Sequence, residues 1–185
     1  MIQIKSVESI EELHGILELQ AKNITENLTQ NEISKEGFVT LSHEIELLEL
    51  MNSYERQIIA VHEGKVIGYA LIMVQELRNK IPVLVPMFQK LDTMSYKSKK
   101  ISEARYYIMG QVCIDKEFRG KGLFAKLYEK HHTDLAHKYD YCITEVAYRN
   151  TRSIRAHEKV GFKEIHSFSD ETDNWSIILL ELKSK

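Results

Sequence analysis

The sequence is poor in the residues that organise covalently cross-linked and metal-bound scaffolds. It holds 2 cysteines in 185 residues, and Cys113 and Cys142 each sit in an apolar, strand-like run. Neither has a second cysteine or a histidine at ligand spacing, so no disulfide framework and no metal site are expected, and buried thiols are. Charge of one sign is not in excess either: 25 Lys and Arg against 27 Asp and Glu leave a net charge of -2. Such a balance offers no general attraction to nucleic acid or to an anionic membrane, so neither is expected as a partner and any anion must be caught locally. Apolar runs long enough to span a bilayer are missing, and "MIQIKSVESI" lacks the basic segment, long apolar run and small-residue cleavage site of a secretory signal. A cytoplasmic location is the expectation. With no internal repeat, low-complexity segment or obvious linker, residues 1–185 are expected to fold as one domain with a sizeable core.

What is present is an alternation of strand and helix patterns. Residues 2–7 read as a short strand, and "SIEELHGILELQ" opens with Ser9 and Glu12 at capping-box spacing before Ile10, Leu13, Ile16 and Leu17. A second helical stripe carries Ile45, Leu48 and Met51. "RQIIAVHEGKVIGYALIMV" then predicts a hairpin joined at Glu63 and Gly64. Between residues 77 and 104, Pro82 and Pro86 bracket an apolar run and "YKSKK" is polar and basic, which suits an exposed excursion, a lid over a site. "RYYIMGQVCID" and "DYCITEVAY" are strands separated by a helix to about His137. A short helix capped by Asn150 runs through Ile154 and Val160 to Gly161, and strands at residues 162–168 and 175–182 close the chain. The sum is a mixed-sheet α/β arrangement.

The chemistry concentrates in "EFRGKGLFAKLYEK", residues 117–130, where a strand ends and a helix begins after Gly122. A helix amino terminus leaves its first N–H groups unpartnered and its dipole favours an anion by about 0.3–1 kcal/mol for one exposed charge. Gly120 and Gly122 let the backbone approach a phosphate without a Cβ in the way, and Arg119 adds a forked, permanent charge. The alternative is a solvated turn that needs glycine for conformation alone. No Gly-Lys-Ser/Thr ending follows, which excludes a nucleoside triphosphate loop, and "GKGLFA" lacks the third glycine or alanine of the dinucleotide fingerprint.

Arg119 and Gly122, with the strand before them, resemble the acyl-coenzyme A signature of the GCN5-related N-acetyltransferase (GNAT) superfamily: arginine or glutamine, two residues, glycine, one residue, glycine or alanine. Phe124 departs from the last position. A second stretch, "NTRSIRAHEKVGF", resembles the asparagine-led helix of the same superfamily, and together the two cover about residues 105–165. The resemblance implies a mixed, mostly antiparallel twisted sheet of about seven strands, with helices on both faces and a V-shaped splay between the fourth and fifth strands. It implies acetyl-coenzyme A as cosubstrate, no metal, and direct transfer of the acetyl group to a primary amine of a small molecule or peptide.

Carried over residue by residue, the resemblance puts the pantetheine arm on the free backbone groups of Val112, Cys113 and Ile114. The pyrophosphate falls to Arg119, Gly120, Lys121, Gly122, Leu123 and Phe124, and Asn150 contacts the pantetheine or ribose region. His157 falls where many members carry a tyrosine that protonates the leaving thiolate; the other reading is a hydrogen-bonded core histidine, since Ile154 and Val160 flank it at helical spacing. Glu145, an acid inside the apolar strand "CITEVAY", is the first choice of general base, against an edge-facing glutamate in solvent. Tyr107 and Glu103 are weaker candidates. The position of the base in histone-acetylating relatives falls on Ile108, which disfavours that mechanism, and His131 and His132 read as packing or surface residues. A non-catalytic acyl-coenzyme A sensor is the alternative function, a nucleotide-binding regulator a more distant one, and an isologous dimer the commonest assembly for such proteins.

Overall fold

The computed structural model describes residues 1–24, 27, 38–39, 41–82 and 85–182. Strand β1 (Ile2–Ser6) leads into helix α1 (Ile10–Asn23), whose first turn is capped as the spacing predicts: Ser9 Oγ accepts from Glu12 N at 3.4 Å, and the Glu12 carboxylate accepts from Glu8 N at 2.7 Å. Helix α2 (Ile45–Tyr54) turns Leu48 and Met51 fully into the core. Strands β2 (Ile58–His62) and β3 (Lys65–Val74) form the expected hairpin, and its joint at Glu63 and Gly64 has φ of +50° and +76°, a left-handed pair suited to a tight two-residue turn.

Residues 77–104 correct the expectation of an exposed excursion. They fold into helix α3 (Val85–Thr93) and a small hairpin, β4 (Ser95–Tyr96) with β5 (Lys99–Lys100). Leu77, Phe88, Leu91 and Ile101 are at most 1% exposed, so the segment is tied into the core while its basic hairpin stands in solvent. Met87, Phe88 and Leu91, which follow Pro86, form a helical stripe, and a stripe must be covered.

Strand β6 (Tyr106–Ile114), helix α4 (Leu123–Leu135), strand β7 (Tyr141–Ala147), helix α5 (Thr151–Lys159) and strands β8 (Lys163–Ser169) and β9 (Asn174–Glu181) complete the chain. Seven strands make one sheet in the order β1-β2-β3-β6-β7-β9-β8. Every neighbouring pair is antiparallel except β6 with β7, whose ladder covers only Tyr106↔Tyr141, Tyr107↔Cys142 and Ile108↔Ile143. After that pair β6 continues against β3 and β7 continues against β9, so the sheet splits into a V between its fourth and fifth strands.

A bulge decides which face β6 presents inside the V. The register with β3 skips from Leu71↔Gln111 to Ile72↔Met109, leaving Gly110 unpaired. An ideal Cβ at Gly110 would lie 2.2 Å from Met73 Cε, so a larger residue there would have to push aside the end of the Met73 side chain. Because of the skipped residue, Gln111 shares a face with Ile108 and Tyr106, the face covered by α1, α2 and α3, while Tyr107 faces α4 and contacts His131. No helix among the described residues is long and apolar enough to cross a membrane.

Candidate functional site

The V opens into a cleft of about 740 Å³, and its lining gathers most of the residues singled out in the sequence. Val112, Cys113 and Ile114 form one wall; their partners on β3 are Ala70, Tyr69 and Gly68, and no strand among the described residues pairs with their other edge. That edge carries backbone N–H and C=O groups with nothing from β7 to bond, an arrangement able to hold an extended polar chain as a strand would. Cys113 is 7% exposed and burial pushes its thiol up to about 12, so it is a packing group and not a thiolate nucleophile.

The turn at the mouth of the cleft has the conformation its glycines allow. Gly120 and Gly122 have φ of +75° and +76°, and a Cβ on either would meet nothing within 4 Å. They are needed for the left-handed backbone that leaves room in front of it. Gly122 is the residue before α4, so the unpartnered N–H groups of the Leu123 turn face the cleft. Arg119 lines the cleft too, but its guanidinium is already at work: Nε donates to Ile114 O at 2.9 Å and Nη2 to Asn23 Oδ1 at 2.6 Å, tying the turn to β6 and α1. The Lys121 ammonium lies 4.7 Å from the centre of the Phe118 ring, away from the cleft lining.

Asn150 is 9% exposed and caps α5, its Oδ1 accepting from Ser153 N at 3.3 Å, and it borders the cleft. Phe124 resolves its departure from the motif by packing: its ring stands 4.9 Å from His157 and 5.0 Å from Tyr128. His157 sits behind it, 2% exposed and outside the cleft lining. Nδ1 lies 2.8 Å from Ser153 O, a group that only accepts, so Nδ1 carries the proton and Nε2 accepts from Tyr128 OH at 2.9 Å. Burial brings its pKa down to about 4. Neutral, doubly bonded and enclosed, His157 has the geometry of the core reading and lacks a free proton to give.

Glu145 lies on the α3 side of β7, since residues alternate faces and Tyr141 shares its row with Tyr106, which meets Phe88 of α3. Its Oε1 is buried without a hydrogen-bond partner among the described residues, and burial pushes the carboxyl up to about 7, with Asp170 adding to the rise and Lys90 of α3 opposing it. A carboxyl that titrates near neutrality, with an unused oxygen, is suited to accept a proton, although Glu145, like His157, is not among the residues that line the cleft. Ile108 and Tyr107 are both buried in the sheet, and Tyr107 OH lies 3.2 Å from His131 Nδ1. His131, 0% exposed with its pKa brought down to about 3 by burial, is a packing residue.

Sequence reading missed a buried polar network beneath the cleft. Gln111 Oε1 accepts from Tyr69 OH and from Gln20 Nε2, both at 2.6 Å, and Gln111 Nε2 donates to Leu41 O at 2.8 Å. Gln20 in turn accepts from His43 N and donates to His43 Nδ1, each at 2.8 Å, and burial brings His43 down to about 4. These bonds fasten the segment before α2 onto β6. Gln111, a long polar side chain within "YYIMGQVCI", was the available signal. The sequence also hid a row of cations, Arg152, Arg155 and Lys159 of α5, which line the same cleft.

Comparison with known proteins agrees with this geometry. The model of the acetyltransferase (GNAT) family matches residues 23–162. Similar solved structures include the ribosomal-protein-S18-alanine N-acetyltransferase from Escherichia coli, with 16% identity, 100% of this chain and 96% of that chain covered and a TM-score of 0.63. YncA from Salmonella typhimurium, with its cofactor acetyl-CoA, is 14% identical with 100% and 96% covered and a TM-score of 0.64. The NatC complex bound to Gag peptide and CoA contains a chain 14% identical, with 98% and 99% covered and a TM-score of 0.66. At such identities these structures show the fold alone. Among curated proteins, no sequence matches.

Proposed function

The chain belongs to the acetyltransferase (GNAT) family, and from that premise we propose that it is an acetyl-coenzyme A-dependent N-acetyltransferase that passes the acetyl group directly to a primary amine. The observation that carries the reading is the V between β6 and β7, which sets an unpaired strand edge in line with the amino terminus of α4. The residues present fit coenzyme A: the glycine turn and the α4 N–H groups suit the pyrophosphate, and the free edge of Val112, Cys113 and Ile114 suits the amide-bearing pantetheine arm. Bound there, the coenzyme would supply an activated thioester.

The chain's own part is proton handling and electrostatics. Glu145 takes a proton from the acceptor ammonium, freeing the nitrogen lone pair to attack the thioester carbonyl carbon. Backbone N–H groups of the free β6 edge hold the oxyanion as it forms. As the carbon–sulfur bond breaks, the electron pair leaves with the thiolate, which takes the second proton that the nitrogen sheds on becoming an amide; the products are the amide, the free thiol and the proton held by Glu145. His157 has no role in that sequence. Its enclosure favours a second reading, a module that binds acyl-coenzyme A without turning it over. The buried Cys113 thiol argues against an acetyl-cysteine intermediate in either case.

Calorimetric titration with acetyl-coenzyme A tests the first step, beside a variant carrying Arg119→Ala and Gly122→Glu. Saturable binding by the parent, lost in the variant, would locate the coenzyme at this turn. Amine-dependent release of free thiol across a panel of amines then separates enzyme from sensor; release that no amine elicits sinks the transferase reading.

A further inference from the structure

The ladder between β6 and β7 stops at Ile108↔Ile143, yet the next carbonyl on β6 is not left bare. Thr144 Oγ1 donates to Met109 O at 2.8 Å, with Thr144 6% and Met109 1% exposed. A side-chain hydroxyl stands where the next backbone donor of a continuing ladder would stand. It sits at the apex of the V, immediately before the bulge at Gly110 on one strand and immediately before Glu145 on the other. Beyond it the β6 edge is held from the far side by β3 and by the Gln111 network. The Thr144 bond therefore closes the line of direct links between the strand that takes the coenzyme and the strand that carries the base.

We propose that Thr144 is a positioning residue for acyl transfer: its hydroxyl fixes the point at which β6 and β7 part, and so the aim of the free β6 backbone groups at the thioester and the separation between thioester and Glu145. This rests on the acetyl-coenzyme A reading above. Without the donor, a buried carbonyl would have to find water or another partner, and the apex would open or slide to supply it. The binding energy of the pyrophosphate end, far along the cleft at the α4 terminus, would be little affected.

The test compares Thr144→Val, which keeps the shape and removes the donor, with Thr144→Ser, which keeps the donor. The probe is acetyl-coenzyme A labelled with carbon-13 at the thioester carbonyl, because the carbonyl shift reports how strongly the protein polarises that bond and needs no acceptor. In the parent the resonance should move downfield at saturation, and the serine variant should reproduce that displacement. In the valine variant the displacement should fall by roughly half or more, with affinity changed by less than about threefold. A valine variant with the parental displacement overturns the proposal, as does a serine variant that behaves like valine, since shape would then be the cause. Should Thr144→Val not fold, Thr144→Ala removes the same donor and is read against serine in the same way. If the parent itself binds no acetyl-coenzyme A, the functional reading fails before any variant is compared.

Discussion

Glu145→Gln is expected to abolish most activity while making the protein more stable, and the gain should vary with pH in a defined way. The carboxyl ordinarily titrates at 4.5 and is pushed up to about 7 in the folded chain, first by burial and then by Asp170. The difference, at about 1.4 kcal/mol per pH unit, makes ionised Glu145 cost the folded state about 3 kcal/mol. The sign follows from which state releases its proton first. Below pH 4.5 the carboxyl is protonated folded or unfolded, and nothing is lost. As pH rises from 4.5 to about 7 the unfolded chain ionises while the folded chain does not, so parent stability falls; above 7 the loss is constant. Glutamine does not titrate, so the stability of the variant minus that of the parent should grow by about 3 kcal/mol between about pH 4.5 and about pH 8, other groups cancelling in the subtraction. Urea unfolding of both proteins at half-unit intervals measures it. A difference that stays flat across that window refutes the reasoning, because the carboxyl would then be ionised at its ordinary pKa. In parallel, parental thiol release should rise with pH through an apparent pKa near 7, and the variant should lose about a hundredfold or more.

The buried histidines act in the opposite sense. With His43, His131 and His157 brought down to about 4, 3 and 4, the unfolded chain takes up protons first, so stability should fall as pH drops from 6.5 toward 4. Unfolding midpoints should show this, and His157→Gln should shallow the fall without moving the pH–rate profile. Gly120→Ala and Gly122→Ala should each cost about 1–2 kcal/mol from left-handed strain alone. Arg155→Glu with Lys159→Glu should weaken acetyl-coenzyme A binding by about tenfold at low salt, and affect the 3′-dephospho analogue less; equal losses for both ligands would show that these cations do not sense that phosphate.

The parts of the fold that repeat locally were legible in the sequence. The Ser9 cap, the left-handed joint at Glu63 and Gly64 and the strand–turn–helix around Arg119 each depend on residues within a few positions of one another. Residues 77–104 mislead a sequence reading because polar lysines and two prolines outweigh a helical stripe whose burial depends on distant strands. At the site, the unpaired edge of Val112, Cys113 and Ile114 follows the resemblance, and Glu145 was marked by the oddity of an acid in an apolar strand. The Gln20–His43–Gln111–Tyr69 network was not, since its members are separated by up to 91 positions and meet only after the sheet forms. Arg119 shows the same limit: composition marks it as a phosphate ligand, and only folding reveals that Ile114 and Asn23 already hold it.

The V divides the sheet along the order of synthesis. β1, β2, β3 and β6 all come from residues 2–114, whereas β7, β8 and β9 come from residues 141–181. A nascent chain can assemble the first four strands, with α1 and α2 on one face and α4 on the other, before the remaining three leave the ribosome. During that interval β6 is an open sheet edge, its unpaired backbone groups exposed to any passing strand. The far wall of the cleft cannot cover it then, because Asn150 and α5 have yet to arrive. The vulnerable moment in the life of this protein is therefore the gap between residue 114 and residue 147, and truncations ending there should be far stickier than the full-length chain.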